Sequence, residues 1–219
     1  MMPEDYVRKS LENVHAADYR AAFRVINSAR KRWPDNFQVA QCCASVLGDY
    51  AEMLPPSERR SYKEKACKML FALIRRMRSM DSLSRSRTRN EYYYHSAQFK
   101  KQYLLGIERV AGGDKTGYYS QGVGAAWHAR DLAIKGSWHW AKFWSRRAIK
   151  AWENYFRINP NYYNAYVHYA LALGILERFE EMEASLEKSG RLSGKSQTCY
   201  EFAEVREIIK QLFCWPKNH

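Results

Sequence analysis

Helices joined as antiparallel hairpins are the fold class this sequence predicts, an all-α chain of about eight or nine helices. Three observations predict it. Apolar residues recur at steps of three and four along nearly the whole chain, and no Val/Ile/Thr-rich alternating run suggests a strand. The 11 glycines and 6 prolines are few for 219 residues, and Pro3, Pro34, Pro55, Pro56, Pro160 and Pro216 stand where helices begin or end. Small residues alternate with large ones inside the stripes, which is what closely packed helix pairs require.

The elements follow in order. Pro3 to His15 reads as a first helix, with Tyr6, Val7, Leu11 and Val14 on one face and Pro3, Glu4 and Asp5 favouring its start. Tyr19 to Trp33 returns beside it. Phe37 to Leu54 is rich in small residues (Ala40, Cys42, Cys43, Ala44, Ser45, Gly48), which suits a helix enclosed by neighbours. Pro55 and Pro56 end it. A basic helix then runs from Ser57 to about Met80, burying Ala66, Met69, Leu70, Leu73, Ile74 and Met77. DSLSRSRTR, Asp81 to Arg89, lacks periodicity and is expected to be a mobile loop. Asn90 to Val110 reads as one helix. AGGDKTG, Ala111 to Gly117, breaks the chain; no GxxxxGK[ST] can be drawn through it, so it holds no nucleotide site. Tyr118 to Ile134 has a very small face (Gly122, Gly124, Ala125, Ala126, Ala129) to lie against the aromatic helix that follows the turn at Gly136. That helix carries Trp138, Trp140, Phe143, Trp144, Trp152, Tyr155 and Phe156, more rings than one buried stripe can absorb. Ser196 to Phe213 is a closing helix with Phe202, Val205, Ile208, Ile209 and Leu212 inward.

Between them lies the clearest hairpin, NYYNAYVHYALALGILERFEEMEASLEKSG, Asn161 to Gly190, turning at Glu177 and Arg178. Ala165, Tyr166, Tyr169, Ala170, Leu173 and Leu176 form the stripe of its first helix; Phe179, Met182 and Leu186 form that of its second. Laid on the roughly 34-residue tetratricopeptide pattern, Tyr166, Tyr169 and Ala170 fall at the large, large and small positions, and Phe179 falls at the aromatic that opens the second helix. Met182 stands where the pattern wants a small residue, and Ser189 and Gly190 replace its usual ending. A second copy, residues 17–36, matches through Asp18, Tyr19, Ala22, Ile26, Ala29 and Pro34. A third, residues 136–161, matches through Trp138, Ala141 and Pro160, on a helix about two turns longer than the pattern. The chain therefore resembles a divergent tetratricopeptide-like helical repeat protein. The resemblance implies a helix-hairpin solenoid, one domain over residues 1–219, closed by the helix at residues 196–213.

What the resemblance implies about function is a concave groove for a partner segment. The places that line such a groove hold Gln38, Gln41, Trp127, Arg130, Asn164 and His168, with Cys42, Ser45, Val123, Ala126, Val167 and Leu171 around them. Arg130 suits a carboxylate, Trp127 an apolar side chain, and Asn164, Gln38 and Gln41 a peptide backbone. Relatives that clamp chaperone C-termini use Lys, Asn and Arg, whereas here the corresponding places hold Gln38, Cys42, Val123, Trp127, Asn164 and His168. A different extended or helical segment is the expected ligand, and an acidic one suits the charge.

Formal charge is +13, and residues 57–89 carry a local +8 from eleven Lys/Arg against Glu58, Glu64 and Asp81. Arg59, Arg60, Lys63, Arg75, Arg76, Arg78, Arg85, Arg87 and Arg89 make this the anion patch of an alternative reading, binding of RNA or another single strand. A third reading buries the surplus rings in a homodimer.

No chemistry is expected. The six histidines show no HExxH or Cys/His cluster, no nucleophile elbow occurs, and neither a metal nor a cofactor is implied. Five cysteines without CxxC spacing read as reduced, buried thiols. MMPEDYVRKS lacks the apolar stretch of a signal peptide, and no run of about 18 uncharged apolar residues occurs, so a soluble cytoplasmic protein without a membrane span is expected. The chain thus reads as a non-catalytic interaction module.

Overall fold

A computed structural model of the chain describes residues 2–16, 18–77, 82–194 and 200–214. Among these residues there are eleven helices rather than eight or nine, and no strand. They form two compact units, Met1–Ala97 and Gln98–His219.

The first unit begins with α1 (Pro3–His15), α2 (Tyr19–Arg32) and α3 (Phe37–Glu52). Each starts as local chemistry dictates. Pro3 opens α1, Asp18 Oδ1 accepts from the Ala21 N–H at 2.8 Å, and Asn36 Oδ1 accepts from the Val39 N–H at 3.0 Å. Ala22, Ile26 and Ala29 of α2 are sealed against Val39, Cys43 and Val46 of α3, with Tyr6, Val7, Val14 and Trp33 packed around them. The second repeat copy thus buries the residues its pattern calls small and large, while its first residue, Ala17, lies outside the described residues. Alternate helices meet as well as successive ones, α1 touching α3 and α3 touching α5.

α4 (Pro56–Arg76) buries Ala66, Leu70 and Leu73 beneath its basic exterior, and Met77, which follows it, is buried as well. The loop expected from Asp81 to Arg89 is instead most of α5 (Ser82–His95), with Asp81 outside the described residues. The reason is a polar inward face. Thr88, Asn90 and His95 are buried, and the Thr88 hydroxyl donates to the Ser84 carbonyl at 3.0 Å within the helix, so the periodicity exists but is not apolar. Nor do residues 90–110 form one helix. The chain breaks at Ser96 and Ala97, where Ser96 Oγ donates to the Tyr92 carbonyl at 2.6 Å and Ala97 takes φ 54°, without the glycine or proline that would announce it. This accounts for part of the excess helix count.

The second unit is built on α7 (Gly117–Ile134), which packs against α6 (Phe99–Ala111), α8 (Trp138–Phe156) and α9 (Tyr163–Ile175). Its small face makes this possible. A Cβ on Gly122 would lie 2.3 Å from the Trp152 ring, and one on Gly124 would lie 2.6 Å from the Phe99 carbonyl, so neither helix could approach a larger residue so closely. The break before α7 is a clasp: Arg109 donates to Asp114 at 2.9 Å, to Thr116 at 2.6 Å and to Ser120 at 2.8 Å. Desolvation pushes the Asp114 carboxyl up, but hydrogen bonds from Thr116 and Arg109 outweigh it and hold it below the usual range.

α10 (Phe179–Ser193) folds back on α9 through the turn at Glu177 and Arg178, as expected. Ser185 Oγ donates to the Tyr166 carbonyl and Ser189 Oγ to the Tyr163 carbonyl, each at 2.9 Å, so the irregular end of this repeat docks onto the backbone of α9. Phe179 does not join the core: it is 44% exposed and meets the Phe213 ring at 5.5 Å. α11 (Tyr200–Cys214) packs on α9 with Phe202, Val205 and Ile209 inward; residues 196–199 and Pro216 lie outside the described residues.

Among the described residues no helix is long and apolar enough to cross a membrane. Cys42, Cys43 and Cys67 are free thiols, and burial pushes each up, Cys42 to about 11. Cys199 and the Cys214 side chain lie outside the described residues.

Candidate functional site

α9 is buried on nearly every side, from Ala165 to Ile175 with only Tyr169 partly open. A polar ring in such a helix must find its partner inside the protein. His168 finds Trp127 of α7, whose Nε1–H donates to His168 Nδ1 at 3.1 Å; the two residues are 8% and 9% exposed. Accepting at Nδ1 leaves the proton of the neutral imidazole on Nε2. Burial lowers His168 to about 4, so the ring stays neutral near pH 7.

Rings enclose this pair. Trp152 of α8 lies nearly parallel to His168 at 6.2 Å, Phe99 stacks on Trp127 at 5.9 Å, and Tyr119 meets Trp152 edge-on at 5.4 Å. Arg130, one helical turn past Trp127, sets its guanidinium 4.5 Å from the Trp127 ring centroid and donates to Asp131 Oδ1 at 2.6 Å. Its side chain remains a quarter exposed. Toward the N-terminal ends of the same two helices, Asn164 Nδ2 donates to the Tyr119 hydroxyl at 3.4 Å.

Of the six residues expected to line a groove, four therefore stand on the adjoining helices α7 and α9. Arg130 and Asn164 reach the surface, whereas Trp127 and His168 pack inside and hold each other. Val123, Ala126, Val167 and Leu171 are buried, which the close approach of α7 and α9 requires. Gln38 and Gln41 belong to the first unit. Gln38 is exposed at the start of α3 and borders a shallow groove along α1 lined by Val7, Arg8, Leu11 and His15, while Gln41 is half-buried. The sequence reading missed Tyr119, Trp152 and Arg109. Gly122 was the available signal for Trp152, since a glycine inside a helix marks a close neighbour.

The basic stretch is partly neutralised. Arg59 and Lys63 both pair with Glu52, Arg60 pairs with Glu64 at 2.9 Å, and Arg76 pairs with Asp35 at 3.3 Å. Arg89 lies over the Tyr93 ring at 5.8 Å. Arg85 is half-buried, Arg75 and Arg87 are exposed, and Arg78 lies outside the described residues. Among the described residues no three His, Cys, Asp or Glu side chains gather as metal ligands.

No family model matches the chain, and no curated protein matches it in sequence. Among solved structures it is similar to the TPR2AB-domain:pHSP90-complex of yeast Sti1, at 16% identity over 97% of this chain and 97% of that one, with a TM-score of 0.28. The all-α architecture itself stands on the helix packing described above.

Proposed function

We propose that the chain is a non-catalytic, tetratricopeptide-like interaction module that binds a segment of another protein along the α7–α9 face. The observation that carries this reading is the guanidinium of Arg130, seated on a buried Trp127 ring that is itself held by His168. A cation positioned in this way has little freedom left to lose on binding, and the N–H groups not given to Asp131 can donate to a carboxylate of the partner. Asn164, farther along the same pair of helices, suits the partner's backbone. The stacked rings behind them keep the face rigid, which lowers the cost of binding.

The test is capture of partners from lysate, with and without nuclease, by the wild type and by Arg130→Glu. A protein that survives nuclease and is lost with Arg130→Glu supports the reading. Capture that nuclease abolishes and the variant leaves unchanged overturns it. His168→Glu is unsuitable for this purpose, because a carboxylate in place of a buried imidazole disturbs folding before it disturbs binding.

A further inference from the structure

The outer face of α4 carries Lys68, Phe71 and Arg75 on successive turns, all exposed, although the helix buries Ala66, Leu70 and Leu73 on its other side. Phe71 is 49% exposed. The half-open aromatic ring stands between two cations, and its surroundings extend it: Tyr92 of α5 lies 5.9 Å away and Tyr93 adjoins Tyr92 at 5.8 Å. The neighbouring cations Arg59, Arg60, Lys63 and Arg76 are matched by carboxylates, yet among the described residues Lys68 and Arg75 are not. Two cations of this helix without a carboxylate among the described residues thus stand on either side of the ring, while a third, Lys65, lies over the Tyr62 ring.

We propose that this α4–α5 face binds single-stranded nucleic acid, with a base stacked on Phe71 and Tyr92 and the flanking phosphates at Lys68 and Arg75. Lys68 and Arg75 are seven residues apart, about 10 Å along the helix, which leaves room for one ring-on-base contact between two phosphate contacts. The chemistry separates this ligand from its rivals. An acidic peptide would gain from the two cations but meet the negative π-faces of Phe71 and Tyr92 with carboxylates. A duplex offers phosphates, but its bases are already stacked. An unpaired strand satisfies both halves of the surface, since every base has a π-face and every linkage a charge. The face lies within the first unit and rests on different observations from the α7–α9 reading, so either can fail without the other.

The test is a fluorescence-anisotropy titration of the full chain against a fluorescein-labelled oligouridylate of about 12 nucleotides, at about 50 and about 200 mM salt. Wild-type binding should weaken with salt. Phe71→Ala should weaken it about tenfold or more with the salt dependence unchanged, because stacking carries no charge. Phe71→Trp should retain it, and Lys68→Gln should reduce the log–log salt slope by about 0.7. Circular dichroism spectra of the three variants matching the wild type would show that the fold is intact. The proposal is overturned by absence of strand binding in the wild type, by Phe71→Ala binding as tightly as wild type, or by Phe71→Trp failing to bind. It is equally overturned if a duplex of the same length, or polyglutamate of the same charge, displaces the labelled strand as well as unlabelled oligouridylate does.

Discussion

His95 in the first unit and His168 in the second are both buried and both neutral, but they are held in opposite ways. His168 accepts a hydrogen bond from Trp127 and is sandwiched among rings. Among the described residues His95 has no hydrogen-bond partner on either ring nitrogen; Gly48 of α3 lies so close that a Cβ there would fall 2.3 Å from the imidazole, and Glu91 approaches only to 3.8 Å. Burial, and after it the charge of Lys63, lowers His95 to about 3; burial alone lowers His168 to about 4. The difference teaches that equal burial does not mean equal purpose. One imidazole holds the ring beneath the Arg130 guanidinium, and the other fills space at a helix crossing.

The largest effect expected from breaking this comparison is on the ring layer itself. Trp152→Ala removes a fully buried ring stacked on His168 and should cost about 3–5 kcal/mol, read as an earlier denaturation midpoint by tryptophan fluorescence. That signal reports chiefly on the second unit, because Trp33 is the one tryptophan of the first and the other six follow Ala97. An equal loss of secondary structure in both units would show that the layer is not local.

Acid should act on both histidines. Each has a folded-state value below its unfolded value of about 6.5, so the unfolded chain takes up protons first and stability falls as pH drops below about 6.5. For His168 the loss should continue to about pH 4, where it reaches about 3 kcal/mol, and for His95 it should continue to about pH 3. Denaturant melts between pH 7 and 4 check this; a flat profile would mean that the rings take up protons in the folded chain as readily as in the unfolded one.

Replacing the rings separates the two roles. His168→Leu leaves the Trp127 N–H without its acceptor and should cost about 1–3 kcal/mol, together with weaker partner capture through Arg130. His95→Leu removes two unmatched polar atoms and should be neutral or stabilising. Similar losses in both variants would erase the distinction. The smallest effect is at the turn of the clearest hairpin, where Glu177 sits at φ 64°. Glu177→Gly should raise stability by about 1 kcal/mol, less whatever its exposed ion pair with Lys142 supplies.

Much of this fold was legible because its helices announce themselves. Asp18 and Asn36 cap where side-chain oxygens can reach backbone N–H groups, Gly136 turns at φ 74°, and Ala22, Ile26, Ala165 and Ala170 lie inward as their spacing requires. α5 was not legible, because Thr88, Asn90 and His95 turn a polar face inward and hydrophobic periodicity cannot register that. The break at Ala97 was not legible either, since alanine carries no left-handed preference. Of the residues expected to line a groove on α7 and α9, Arg130 and Asn164 are partly exposed, but Trp127 and His168 are buried, which their mutual hydrogen bond allows.

By itself the sequence determined the helical class, most helix limits, the small face of α7 and the concentration of cations at residues 57–89, because propensity, capping and periodicity act over a few residues at a time. Tertiary structure alone decided which cations remain unmatched, which rings of α8 are sealed, as Trp152 is, and which are open, as Trp140 is at 55%. It also decided that Trp127 and His168, 41 positions apart, would share a hydrogen bond. Burial and pairing depend on what another helix brings to the same point, and no local pattern carries that information.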